Sequence, residues 1–263
     1  MFWLWLSLLG LVVGCIGTLV GAGGGFILMP ILALLYPDEP PATLASISLA
    51  VVFFNALSGS IGYARQKLID YRPGLLFLAA GIPGAIIGAL ITSHIPRATF
   101  DIILGITLVL IALAILALGT IRPRNADPAH ATSAAPPKRR ALGAAISFFV
   151  GIVSSLLGIG GGIIHVPAMV YLLKFPVHIA AATSHFVLAG TSLAGTIAHL
   201  TSGEYTHGFR RTAALALGAV IGAQIGTRLA NRTPPTWIMR GLAVALILVG
   251  LRVITVAASK TNP

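Results

Sequence analysis

The chain has 263 residues, of which 57% are hydrophobic and only 9% charged, and its mean hydropathy is +0.97. A soluble domain carries about 25% charged residues, so a water-exposed globule is excluded and lipid must solvate most of the exterior. The net charge of +11 does not indicate nucleic acid: the Lys and Arg residues flank apolar runs, as in membrane proteins, and form no basic stripe.

The elements follow from apolar runs separated by polar punctuation. The first run, about 2–36, contains Val12-Val13-Gly14-Cys15, which has the outline of a lipoprotein cleavage box. No Lys or Arg precedes the run and the apolar sequence continues past Cys15, so it reads as a first membrane helix. It is too long for one simple crossing and is interrupted at Gly21 to Gly25. Spans over about 42–64, 73–93 and 99–119 complete a first repeat, 1–119. A Pro- and Ala-rich polar linker, 120–140, follows. The second repeat, 141–263, holds spans over about 141–173, 177–201, 208–230 and 237–257. The expected fold is an all-α integral membrane protein of about eight transmembrane helices in two four-helix halves. Helices are the open-chain solution, because backbone groups in lipid must be satisfied within their own segment.

Eight alternating spans from a cytoplasmic amino terminus leave Arg97, Lys174, Arg228, Arg232 and Arg240 outside and the other twelve of the 17 basic residues inside. Both termini and the linker are therefore expected in the cytoplasm, with the inner membrane as the location.

The halves repeat at a fixed offset. Gly21-Ala22-Gly23-Gly24-Gly25 followed by Pro30 lies 137 positions before Gly158-Ile159-Gly160-Gly161-Gly162 followed by Pro167. Ala45-Ser46 stands against Ala182-Thr183 at the same offset, and Gly84/Gly88 against Gly222/Gly226 one residue later. With four crossings per half, the repeats are expected to be parallel. Four glycines in five residues do not sustain a helix, and irregular backbone at membrane depth belongs where it lines a cavity or is buried in protein. A helix restarting after such a break turns free N–H groups and a positive dipole end toward that cavity, which suits an anion. Gly21, Gly23, Gly24, Gly25, Gly158, Gly160, Gly161 and Gly162 are thus candidate substrate-binding residues. The paired Gly84/Gly88 and Gly222/Gly226 read instead as helix-packing positions.

The repeated GxGGGxxxxP followed by an Ala-x-Ser or Ala-Thr-Ser segment resembles the TauE/SafE sulfite exporter family, also called the 4-toluene sulfonate uptake permease family. The first-half match is looser, with Ala45-Ser46-Ile47-Ser48 where the second half has Ala182-Thr183-Ser184. The resemblance implies two four-helix halves and movement of small sulfur oxyanions or organosulfur compounds.

Ser46, Ser48 and Asn55 in the first half, and Thr183, Ser184 and Gln224 in the second, are candidate hydroxyl or amide donors to such an anion. The six carboxylates, Asp38, Glu39, Asp70, Asp101, Asp127 and Glu204, fall in loops or at span ends, which argues against a metal-cation carrier. His165, His185 and His199 lie within spans, and His165 and His185 are candidates for proton coupling. No metal site, cofactor or nucleotide motif is expected, and no catalytic arrangement. The expected function is a secondary transporter of a small anion, with the bilayer and the solute as partners and homo-oligomerisation left open. The alternatives are a carrier for a neutral or cationic solute, a membrane enzyme or an assembly protein.

Overall fold

A computed structural model describes residues 2–119, 137–203, 208–230, 243–244 and 246–256. The chain order is α1 (Phe2–Val20), α2 (Gly25–Leu35), α3 (Pro41–Arg65), α4 (Tyr71–Thr92), α5 (Arg97–Gly119), α6 (Pro137–Leu157), α7 (Gly162–Pro167) and its π-helical continuation (Ala168–Leu172), α8 (Val177–Thr201), α9 (Phe209–Ala230) and α10 (Leu246–Val256). Among the described residues there is no strand. Among the described residues seven helices, α1, α3 to α6, α8 and α9, are long and apolar enough to cross a bilayer. At about 1.5 Å per residue each covers most of the roughly 30 Å hydrocarbon core. Of the eighth expected span, 243–244 and 246–256 are helical and the rest lies outside the described residues, as does 120–136 of the linker. The helix after it begins at Pro137, a favoured first helical residue, so Lys138, Arg139 and Arg140 stand in the first turn of α6 and not in the linker.

Both long first spans break at their glycines. Gly21, Gly23 and Gly24 in one break, and Gly158 and Gly160 in the other, have φ between +64° and +82°, a region that L side chains populate only at a cost of about 1–2 kcal/mol. The backbone turns there while Ala22 and Gly23 still donate to the Gly17 carbonyl, at 2.7 and 3.1 Å.

Packing fixes the helix directions. Gly10 lies against Leu215, Gly14 against Ala219, Gly222 against Leu11 and Gly226 against Cys15, so α1 and α9 run parallel, backbone to backbone. Gly84 against Phe148 and Gly88 against Ile152 set α4 parallel to α6 in the same way. These are the paired glycines read from sequence as packing positions, and their lack of a side chain is what permits the approach. At the centre, Gly59 meets His185 and Gly195 meets Leu49, so α3 and α8 run antiparallel. They are the most enclosed spans, with 78% and 56% of their apolar windows buried. Gly14 also meets Asn55 and Gly59 meets Thr18, so α1 and α3 run in the same direction. The 11-residue α2 must therefore bring the chain back to the side from which α1 started. Leu4, Trp5, Leu110, Phe149 and Leu217, all exposed, lie on the outer surface, as a lipid-facing exterior requires.

This return corrects two expectations. Helices at matching places in the repeats, α1 and α6, α3 and α8, α4 and α9, run in opposite directions. The relation is inverted, with its axis in the membrane plane, and not parallel. With α2 returning and α3, α4 and α5 then alternating, the start of α1 and the end of α5 lie at opposite ends of the bundle. Antiparallel contact of Gly105 with Ile254 and Gly250 with Val109 returns the carboxyl end of α10 to the face where α1 begins. On that terminal face, Arg211 pairs with Glu39 at 2.8 Å and stacks on Tyr36 at 4.2 Å. There too Arg97 pairs with Asp101 at 2.9 Å and donates to the Glu39 carbonyl at 2.6 Å. These contacts join the turns after α2, before α5 and before α9, which the helix directions independently place together.

Candidate functional site

The two glycine breaks meet at mid-depth. Gly25 lies against the Ile159 carbonyl and Val52; Gly162 lies against Ala22 and the Gly21 carbonyl; Gly160 lies beside the Ala22 carbonyl and Val52; Gly23 touches Leu188. Val52 and Leu188 each stand one residue before the midpoint of α3 and α8, so the breaks cross at the centre of the bundle. From there α2 runs toward the terminal face and α7 toward the linker face. Neither Gly24 nor Gly161, the residues before the two half-helices, supplies a side-chain cap. First-turn N–H groups and the positive ends of two half-helices thus converge on one buried place.

Two polar groups flank the crossing. The first joins α1, α3 and α8: Thr18 Oγ1 lies 3.3 Å from Asn55 Oδ1 and 3.3 Å from His185 Nε2, and the Tyr63 hydroxyl donates to the Thr18 carbonyl at 2.8 Å. Asn55 Nδ2 has no partner. The second is a small cavity between α6, α7 and α8, lined by Ser147, Ser154, Gly161, Gly162, His165, Ser184 and Thr191 together with apolar neighbours. It has room for about one water molecule. Ser147 donates to the Gly143 carbonyl at 2.9 Å and lies 2.9 Å from His165 Nε2. A hydroxyl has one proton; with that proton on the Gly143 carbonyl, the imidazole Nε2–H donates to Ser147 and Nδ1 carries the ring's lone pair. Ser184 is fully buried and its Oγ has no partner.

The candidate residues read from sequence therefore separate. All eight candidate glycines lie in or next to the crossing. Ser184 and His165 line the cavity, while Asn55 and His185 belong to the Thr18 group. Ser48 donates to the Gly158 carbonyl at 2.5 Å and so holds the second break in shape. Ser46 bonds back to Thr43 of its own helix at 2.7 Å, and Thr183 accepts from the Asp70 N–H at 3.0 Å; both hydroxyls are engaged away from the cavity. Gln224 donates to the Ser58 carbonyl at 2.7 Å, between α9 and α3. Ser147, Ser154, Thr191, Thr18 and Tyr63 are absent from the sequence-based set. A signal for three of them exists: Ser147/Ser154 and Ser184/Thr191 are each seven apart, two helical turns, so each pair marks one face of its helix.

A multi-pass helical bundle with broken helices meeting at its centre defines a membrane transporter. The chain matches the Sulfite exporter TauE/SafE family over residues 6–253, and it belongs to that family. It is 33% identical to the probable membrane transporter protein YunE of Bacillus subtilis, covering 95% of this chain and 96% of the relative. It is 28% identical to the probable membrane transporter protein YjnA of the same organism, over 94% and 98%. A probable membrane transporter protein of Methanocaldococcus jannaschii is 26% identical over 94% and 93%. No solved structure matches the chain.

Proposed function

We propose that the chain is a secondary carrier that moves a small anion, of the sulfur oxyanion or organosulfonate class, across the bacterial inner membrane. The observation that carries this reading is the convergence of two uncapped half-helix N-termini at mid-depth. Aligned peptide dipoles place about half a positive charge at each such end, in a region where low dielectric makes partial charges count for more. The sulfur chemistry rests on the family's name; the sign of the charge rests on the backbone. A carboxylate at the crossing would have favoured a cation as cargo, and none of the described ones stands there. The described carboxylates, Asp38, Glu39, Asp70 and Asp101, lie in turns or, for Asp101, in the second turn of α5. The inverted halves supply an alternating-access device, in which one half rocks against the other around the fixed crossing.

Orientation follows from basic residues once the helix directions are used. Among the described residues, the linker face carries Arg65, Lys67, Arg72, Lys138, Arg139, Arg140, Lys174 and Arg228. The terminal face carries Arg97, Arg210 and Arg211, with Arg252 in the half of α10 nearer to it. This excess supports a cytoplasmic linker face, with both termini on the opposite side. The cytoplasmic linker is kept from the sequence reading; the cytoplasmic termini are not.

Proteoliposomes holding the purified chain test the carrier reading. Saturable flux of ³⁵S-labelled sulfite, sulfate or methanesulfonate, with mutual competition, is expected. Flux of cations or neutral solutes that these anions do not inhibit would sink it.

A further inference from the structure

Resting on the anion-carrier reading, we propose that the α6/α7/α8 cavity, which in this structure has room for about one water molecule, widens during transport to take a monoanion together with a proton held on His165 Nδ1, so that the two cross as a neutral pair. The argument begins with charge. An anion moved from water into a buried site without a counter-charge is strongly disfavoured. Among the cavity-lining residues, His165 alone can become charged; the others offer hydroxyls, peptide groups and apolar surface. The helices packed around it carry no competing charge at that level. Lys138, Arg139 and Arg140 stand in the first turn of α6 and Arg72 at the start of α4, while Arg97 and Asp101 pair at the start of α5. On α8, His178 and His199 lie toward the two ends and His185 turns to Thr18. From α4, Phe77 sets its ring T-shaped against the His165 ring at 5.7 Å, which walls off that side without charge.

Geometry then says which nitrogen takes the proton. Nε2 is bonded to Ser147, whose own proton is spent on Gly143, so protonation can occur only at Nδ1. Ser184 Oγ, buried and unpartnered, supplies a hydroxyl donor on the opposite wall, from α8. Anion binding and ring protonation then favour each other reciprocally, because each lowers the cost of the other. The proton is taken up from the side of loading onto Nδ1 and leaves with the anion on the other side, with no covalent change. The matching positions of the first half, Leu28 and Ile47, are apolar, so only one half carries this device.

Two measurements on the full chain test it. In proteoliposomes with an internal pH dye, an acid-outside gradient should raise uptake of whichever probe anion is carried, and His165→Gln should lose that dependence. A proton belonging to the substrate itself would persist in the variant, which separates the two sources. Ring ¹⁵N spectra of the histidine-labelled protein should show one imidazole becoming imidazolium as anion is added. Ser184→Ala should keep the gradient response while raising KM, and the anion concentration needed for the ring change, about tenfold, as expected for one lost hydrogen bond to a charged group. If His165→Gln does not fold, the ring spectra of wild type and Ser184→Ala decide. Anion carried or bound with every ring left neutral, or a gradient response unchanged in His165→Gln, overturns the proposal. If no probe anion is carried or bound, the carrier reading itself falls, and this inference with it.

Discussion

Gly24 and Gly203 have nearly the same backbone conformation, φ +82° and +77°, and differ in what surrounds them. A Cβ on Gly24 would meet Val13 at 2.8 Å, whereas one on Gly203, in the turn after α8, would meet nothing within 4 Å. Alanine at either place bears the left-handed strain, about 1–2 kcal/mol. Gly203→Ala is therefore expected to lower thermal stability modestly and leave flux unchanged per folded molecule. Gly24→Ala must also shift the start of α2 at the crossing and should lose most of its flux; equal flux in the two variants would detach the glycine break from transport. Arg97 poses a different residue-scale question. Its guanidinium serves Asp101 and the carbonyls of Ala33, Tyr36 and Glu39, so it caps the end of α2 that α2 itself leaves open. Arg97→Gln should cost about 1–3 kcal/mol, read as a lower unfolding temperature in detergent, and Arg97→Lys should recover only part of it because an ammonium lacks the planar fork.

Among the elements, the parallel pairs α1/α9 and α4/α6 are held by glycine against backbone, and they tolerate no added volume. Gly84→Leu would drive a side chain into the Phe148 carbonyl, and overpacking of this kind costs about 1–3 kcal/mol or more. The expected outcome is loss of folded protein, seen as aggregation on size-exclusion chromatography. A monodisperse, active Gly84→Leu would mean that the two helices separate more easily than their contact implies. Legibility in the sequence followed the same division. The glycine breaks were readable because five residues with four glycines contradict helix propensity, and their recurrence at one offset excluded chance. The packing glycines were readable from their four-residue spacing. The return stroke of α2 was not, because residues 25–35 are as apolar as the helix before them and hydropathy carries no direction. The cavity was half legible: Ser184 follows the repeated motif and His165 is an ionisable group in a span. Ser147 and Ser154 lie outside the repeated motif, and helix hydroxyls commonly bond to their own backbone, as Ser147 does besides facing His165. Thr183 shows the converse, a motif hydroxyl taken up by the Asp70 backbone.

For the whole molecule, the decisive quantity is the parity of crossings, and it turns on α2 and α7 alone. Were each to continue onward, the first half would cross four times and the termini and linker would share a face. Because α1 lies parallel to α3, with Gly14 at Asn55 and Thr18 at Gly59, the first half crosses three further times after α2 returns. Its far end, where the linker begins, therefore lies opposite the amino terminus. The charges agree with this parity, since the basic turn with Arg65, Lys67 and Arg72 falls on the linker face with Lys138, Arg139 and Arg140. The terminal face sets two of its arginines against Glu39 and Asp101. Reporter fusions should thus give cytoplasmic activity within 120–136 and periplasmic activity after residue 256, with single-cysteine labelling at Lys67 from the cytoplasmic side and at Asp38 from the periplasmic side. Cytoplasmic signals from both the linker and the carboxyl end would require α7 to cross completely. That would break the antiparallel contact of α3 with α8, and with it the meeting of the two half-helix N-termini on which the anion reading depends.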